Sequence, residues 1–299
     1  MLTTLSVDLA VHLDHPISTY GDEVIQLLAA YERIVPSDVL RWYATETMSL
    51  YKPKTARTLK LPASWWRKGS KQKPYRSLKV HGAEHPSSTS PWGVRLVCEE
   101  LRNGERRKAW HPSLLRFSFS PQWFEKNRSA YLELAQRMAE RLPFASGHGG
   151  YSLEHNWVYE SISTQAAYAL ARRYIGIDLD HNVTYHAKDF LRSFNWLTMT
   201  GKTLLERTNL PPEKVVAALP DEASCIETDL GLMIFAGEWP QLGDVNRGEL
   251  LPLHRTIAKC LQPLFSNKFQ PAFLLRSPDD HEKSLEWYRR FLEDIPDEA

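Results

Sequence analysis

A strand-to-helix junction, residues 237–258, constrains the fold of this chain more than any other segment. Before it, the apolar run Leu230–Phe235 predicts a buried strand. Within and after it, apolar residues recur at helical spacing from Leu253 to Leu264. The loop holds two glycine-bounded turns that Asp244 and Asn246 could close with their own side chains. Two interpretations stay open: a tight connection in an α+β domain, or a loop that presents polar groups for binding.

The composition is that of a soluble globular protein, with 299 residues of which 42% are hydrophobic and 24% charged. Three scattered cysteines argue against a disulfide framework and indicate reduced thiols. The opening residues lack a basic leader and place Asp8 inside an apolar run, which predicts a half-buried strand instead of a signal peptide. Since no run of 18 apolar residues occurs, we expect no membrane span and a cytoplasmic protein.

Hydrophobic periodicity predicts alternating strands and helices along the chain. The predicted helices are 22–34, 121–142 with Ser120 as its cap, 158–174, 202–208, 252–265 and one from about 282. The predicted strands are 1–15, 41–51, a hairpin of 94–101 with 114–120, 194–199 and 225–236, with a glycine-rich turn at 147–150 and little periodicity over 52–90. The fold class expected is α+β, with a mixed or antiparallel sheet packed with helices. The domain is 1–299, with 1–176 and 177–299 as alternative halves of similar strand-helix architecture.

Three motifs match catalytic patterns incompletely. Gly201-Lys202-Thr203 precedes a helix, but a phosphate-binding loop needs glycine where this chain has Trp196. His81 and His85 have the spacing of an inverted zinc motif, yet Gly82 and Pro86 indicate a loop instead of a helix. Gly150-Tyr-Ser-Leu-Glu154 lacks the last glycine of a nucleophile elbow.

The remaining chemical patterns also favour a protein without catalysis. Asp178, Asp180, His181 and His186 cluster in sequence, but their spacing fits no common metal site. No Asp-x-Lys or Glu-x-Lys triplet of a restriction-type nuclease occurs. We therefore expect no catalytic residues, no metal and no cofactor.

The segment 51–83 carries ten Lys and Arg residues and no Asp or Glu. Trp65, Trp66, Lys68, Lys71 and Lys73 combine aromatic rings with positive charge, a combination that contacts phosphates and stacks bases. This basic segment, 52–79, supports an alternative function as a nucleic-acid-binding module. A solvated loop, or a strip that meets an acidic partner surface, is the other interpretation.

Four blocks of sequence occur together in a fixed order: LPFASGHGGYSLEHN (142–156), FNWLTMTGKTLLERT (194–208), PQLGDVNRGELLP (240–252) and LEWYRRF (285–291). In these blocks the chain resembles the type VI secretion immunity family, a former domain of unknown function described as immunity for VRR-Nuc nuclease effectors. The resemblance implies a non-catalytic, cytoplasmic protein that binds and occludes a cognate nuclease effector and protects the producing cell. It brings no catalytic motif. From the residues themselves we expect no membrane contact and only weak or nonspecific contact with nucleic acid.

A blocker of a nuclease gains from exposed acids and an aromatic anchor, because the nuclease keeps a basic groove for DNA. Acidic residues close to loops, together with one tryptophan, meet this description. The candidate effector-binding residues are Asp178, Asp180, Asp221, Glu222, Glu238, Trp239 and Asp244. Solvated acids, turn formers and a core tryptophan are the other interpretation of the same residues.

Overall fold

The computed structural model describes residues 2–13, 16–67, 73, 75–99, 113–156, 160–179, 189–265 and 279–293. The strands are β1 (Thr3–Leu13), β2 (Trp42–Thr45), β3 (Lys52–Pro53), β4 (Tyr75–His81), β5 (Gly93–Glu99), β6 (Ser113–Phe119), β7 (Phe144–His155), β8 (Asp178–Leu179), β9 (Leu197–Gly201), β10 (Ser224–Thr228) and β11 (Gly231–Phe235). The helices are α1 (Gly21–Ile34), α2 (Leu61–Trp65), α3 (Pro121–Arg141), α4 (Glu160–Arg173), α5 (Lys202–Arg207), α6 (Pro212–Ala218), α7 (Pro252–Cys260) and α8 (Asp280–Arg289).

All of these strands belong to one sheet, in the order β10-β11-β9-β7-β1-β6-β5-β4-β2-β3, with β8 beside β7. The pairs are antiparallel except β7 with β8, which is parallel. The α+β class with a mixed sheet is therefore confirmed. Strands from before and after residue 176 pair directly, since Ser146–Gly149 of β7 lie opposite Leu197–Thr200 of β9.

The predicted helices form close to their expected bounds, and the predicted hairpin of β5 and β6 is confirmed. α3 begins at Pro121 and buries a stripe that is at most 1% exposed: Phe124, Tyr131, Ala135, Met138 and Leu142. Ser120 occupies the cap position, but its hydroxyl donates to Gln122 Oε1 and caps no backbone N–H. The short helices α2 and α6 were not predicted.

The first strand is buried on both faces, so the expectation of a half-buried strand is wrong. Its odd-numbered residues, such as Val7 and Leu9, join the main core with α1 and α3. Its even-numbered face is also covered and is polar: Asp8 is 1% exposed and bonds to Arg116 of β6. A second carboxylate, Glu154, contacts the same guanidinium. Charge pairing in the interior therefore allows a strand with an acid in its middle to lie at the centre of the sheet.

The glycine-rich stretch 147–150 lies in the middle of β7, so the predicted turn is wrong. Glycine at these positions allows close approach across the sheet. A Cβ atom on Gly149 would lie 2.3 Å from the hydroxyl of Tyr131, which donates to the backbone oxygen of Asp8 at 2.6 Å. Tertiary packing, which local turn chemistry cannot reveal, decides the structure here.

Three further strand predictions need correction. The segment predicted to lack periodicity contains β4, whose alternating pattern YRSLKVH pairs with β5. The run 41–51 forms a strand only over β2 and then turns towards β3. The single strand expected over 225–236 is the hairpin of β10 and β11, because Asp229 and Leu230 form a two-residue turn before Gly231, whose φ is +155°.

Candidate functional site

Asp244 organises the junction loop between β11 and α7. Its carboxylate accepts a hydrogen bond from the backbone N of Asn246 at 3.1 Å, so the predicted turn is confirmed for Asp244. Arg173 of α4 donates to both carboxylate oxygens, with Nη2 2.8 Å from Oδ2. These bonds lower the pKa of Asp244 below its ordinary value. Asp244 is 5% exposed, so the expectation of an exposed acid is wrong because the loop and Arg173 enclose it.

Trp239 stands beside this loop with a large part of its ring in solvent. It is 41% exposed, and the Arg128 guanidinium lies 4.9 Å from its ring centroid. Arg128 also donates to the backbone oxygen of Glu238 at 2.7 Å, and Phe124 meets the Trp239 ring edge-on. Glu238 is exposed. The tryptophan is therefore held in place on one side and available for contact on the other, as an interface anchor requires.

A cleft of about 720 Å³ opens next to the junction loop. Its lining includes Tyr151 and Tyr174, together with Glu249 and Leu250 of the loop. Leu250 is 45% exposed, so the cleft adds apolar surface to the polar loop. Aromatic walls with a few charged groups are typical of binding clefts in general.

Asp178 lies inside the protein and is not an exposed acid, so that expectation is wrong. It is 2% exposed on β8, where Arg192 and Asn195 donate to its Oδ2 and His148 Nε2 lies 3.3 Å away. Burial alone would raise the pKa of Asp178, but Arg192, His148 and Arg290 lower it below its ordinary value. Ion pairing explains why an acid in a polar stretch is buried. Asp180, His181 and His186 lie outside the described residues.

The two tryptophans of the basic segment serve mainly as packing, whereas Tyr75 is 40% exposed. Trp65 is 8% exposed with Arg76 5.6 Å from its ring, and Trp66 packs against the main core. The alternative interpretation, in which Trp65 stacks on bases, does not fit this position because α2 buries Trp65 against the core. Lys73 pairs with Glu46 at 3.3 Å. Lys68 and Lys71 lie outside the described residues.

Exposed acids gather instead at the other end of the sheet. Asp221 and Glu222 are exposed just before β10, and Ser224 of β10 lies opposite Phe235 of β11. Asp221 and Glu222 therefore lie at the same end of this hairpin as Glu238 and Trp239, which follow β11. Residues 215–246 contain six acids and no Lys, Arg or His. That charge bias could have been found in the sequence.

Comparison with known proteins decides the family. The family model TsiV, type VI immunity for VRR-NUC, matches residues 23–291. The chain belongs to the TsiV family. A solved structure, the Pseudomonas aeruginosa T6SS protein PA0821, has the same fold with a TM-score of 0.79 and 17% identity, covering 99% of this chain and 86% of that chain. No curated protein matches the chain.

In this TsiV-family protein, the three motifs that partly match catalytic patterns lie in a loop, in a buried strand and at the start of a short helix. His81 ends β4 and receives a hydrogen bond from Ala83 N at Nδ1, so the segment is a loop as expected, and burial lowers the His81 pKa to about 4. Ser152 is fully buried in β7 and not on an elbow. Lys202 begins the six-residue helix α5.

None of the helices in the described ranges is long and apolar enough to cross a membrane. Among the same residues, no group of three or more His, Cys, Asp and Glu side chains is arranged to hold a metal ion.

Proposed function

We propose that this protein acts in the cytoplasm as a non-catalytic inhibitor that binds the nuclease domain of a cognate VRR-Nuc effector and occludes its DNA-binding groove. The observation that carries the proposal is the TsiV family match over residues 23–291. A family defined by immunity to a nuclease acts by binding that nuclease. The burial of Ser152 and the loop position of His81 also favour binding over catalysis.

We further propose that the inhibitor contacts the nuclease with the open end of the β10–β11 hairpin. This effector face comprises Asp221, Glu222, Glu238 and Trp239. Its support is that all four are exposed and lie at one end of a single hairpin. Acids there would meet the basic groove that a nuclease keeps for DNA, and Trp239 would provide a central aromatic contact.

The buried candidates take other roles in this proposal. Asp244 holds the junction loop through Arg173, so it positions Glu238 and Trp239 without touching the partner itself. Asp178 contributes to the interior of the sheet through Arg192. Asp180 keeps its place as a candidate contact.

Inhibition of DNA cleavage tests the proposal. The purified chain should inhibit its cognate VRR-Nuc nuclease at one inhibitor per nuclease. Immunity must hold at low cellular concentrations, so we expect a Kd at or below about 1 nM, near −12 kcal/mol. Bovine serum albumin at equal concentration controls for nonspecific protection of the nuclease. Uninhibited cleavage, or a Kd in the micromolar range, would contradict the proposed function.

The nucleic-acid-binding alternative is not favoured, because Trp65 and Trp66 are engaged in packing. We expect only weak, nonspecific binding of DNA to the basic segment, with an affinity that falls steeply as salt rises. Submicromolar DNA binding at about 150 mM salt, lost when Lys68, Lys71 and Lys73 become Glu, would restore the alternative.

A further inference from the structure

We propose that β10 is an open docking edge, onto which the nuclease adds one of its own strands. This inference rests on the proposed function and names the contact that would produce it. The partner segment is an extended strand flanked by Lys or Arg residues. Addition of a strand to a free sheet edge is a common mode of protein recognition, since the backbone hydrogen bonds provide affinity and the side chains provide specificity.

Topology places β10 at the end of the sheet. In the described part of the chain, β11 is the neighbour of β10 and no strand pairs with its other side. Ser224, Ile226 and Glu227 are all exposed, Ile226 at 39%. Most side chains of this strand are therefore in contact with solvent.

The register shows which backbone groups point outward. Leu230 O accepts from Lys202 N at 2.9 Å, and Ala236 N donates to Trp196 O at 2.7 Å. Backbone groups of even-numbered residues around β11 therefore face β9, and those of odd-numbered residues face β10. Opposite these odd-numbered residues lie Ser224, Ile226 and Thr228, whose backbone groups are used inside the sheet. The N–H and C=O groups of Cys225 and Glu227 consequently point away from β11 and are placed to accept a new strand.

The other end of the sheet shows how an edge is protected. There β3 is two residues long and contains Pro53 beside Lys52, with Lys54 directly after it. Proline, lysine and short length are the usual devices that prevent strand addition. The strand Ser224–Thr228 has neither proline nor lysine, and Glu227 is the one charged residue in it.

Charge selects a basic strand as the occupant. Asp221, Glu222, Glu227 and Asp229 lie on or next to β10, and residues 215–246 contain no Lys, Arg or His. A second copy of this chain would place two such acidic edges against each other, which is unfavourable. A nuclease has the complementary charge because it must bind the phosphates of DNA.

Proline substitution at an outward-facing position tests the inference. In Glu227→Pro the lost N–H is one that the sheet does not use, so the melting temperature should stay close to that of the parent. The affinity for the cognate VRR-Nuc nuclease should fall about 100-fold or more. Glu227→Gln removes the same charge and keeps the N–H, so it should weaken binding by less than about 5-fold. Ile226→Ala keeps every backbone group and should weaken binding about 10-fold by loss of a cross-strand contact.

The outcomes separate this inference from the proposed function. If the parent protein fails to bind the nuclease, the proposed function is wrong. If the parent binds and both Glu227→Pro and Ile226→Ala bind equally well, the docking edge is wrong and the proposed function stands. If Glu227→Pro is unfolded, Ile226→Ala alone decides, since it leaves the backbone intact. A dimer of the parent without nuclease that Glu227→Pro dissociates would overturn the choice of partner.

Discussion

The two edges of the sheet differ in charge and in how far their backbone groups are open to strand pairing. At one end, β3 and β2 belong to a basic region that includes Lys52, Arg57 and Lys60, and the edge itself carries Pro53. At the other end, β10 is surrounded by acids and its outer backbone groups are open. Nine strand-to-strand steps of about 4.8 Å separate these edges, or about 43 Å measured along the sheet. The comparison indicates that one edge is kept free of strand pairing while the other is available for it.

The interior of the sheet provides a third set of charges, which stabilise the fold. We expect Asp178→Asn to lower the free energy of unfolding by about 3–5 kcal/mol, because it leaves the buried Arg192 without its ion pair. The matched control Asp221→Asn removes an exposed charge and should change stability by less than about 0.5 kcal/mol. Urea denaturation of both variants measures the difference. Equal stabilities of the two variants would contradict the claim that the buried acid stabilises the fold and the exposed acid does not.

Charge reversal compares the two edges directly. The triple variant Asp221→Lys, Glu222→Lys and Asp229→Lys should bind the nuclease about 100-fold more weakly, which corresponds to about 2.7 kcal/mol. The opposite triple, Lys52→Glu, Arg57→Glu and Lys60→Glu, should change the affinity by less than about 3-fold, because these residues lie at the distant edge. Calorimetry on both variants gives the two constants. A larger loss from the basic triple would reverse the assignment.

Mild acid should weaken the interior of the protein through His254. Burial, then Arg290, lowers the pKa of His254 from 6.5 to about 4. Between these values the unfolded chain binds more protons than the folded one, so stability falls as pH falls. We expect His254 to account for a loss of about 2 kcal/mol between pH 7 and pH 5. The variant His254→Gln, measured by urea denaturation at both pH values, should show a loss smaller by that amount. An unchanged pH dependence would contradict the low pKa.

Trp239 is expected to contribute a smaller share of binding. Trp239→Ala should weaken nuclease binding about 10-fold, because a truncated aromatic anchor typically costs 1–2 kcal/mol or more. The control Trp239→Phe retains an aromatic ring over Arg128 and should lose less than about 3-fold. Surface plasmon resonance measures the binding of each variant. A melting temperature equal to that of the parent shows that a loss of binding does not come from unfolding. Equal binding by the alanine variant would remove Trp239 from the effector face.

Local pattern predicted most of the helices because their buried stripes repeat along one element. The stripe from Phe124 to Leu142 is an example, and Tyr131 and Met138 are fully buried as expected. Pattern failed where distant residues decide the outcome. Glycine at 149 indicates a turn when read locally, yet it lies in a strand because Tyr131 approaches from α3.

The sequence also predicted the exposure of some candidate site residues correctly and of others wrongly. Exposure of Asp221, Glu222 and Glu238 followed from their polar surroundings, and the structure agrees. Burial of Asp178 and Asp244 depends on Arg192 and Arg173, which lie 14 and 71 residues away in the chain. No local pattern identifies such pairs. The open edge of β10 also needed the strand order, since an edge position is a property of the whole sheet.

Hydrogen exchange of the complex tests the central claim most directly. Backbone amides in residues 221–229 should exchange much more slowly when the nuclease is bound, because a strand pairs with β10 and excludes water there. Amides of β2 and β3, at residues 42–45 and 52, should exchange at the same rate with and without the nuclease. Protection of the basic edge, with no change at β10, would contradict the account.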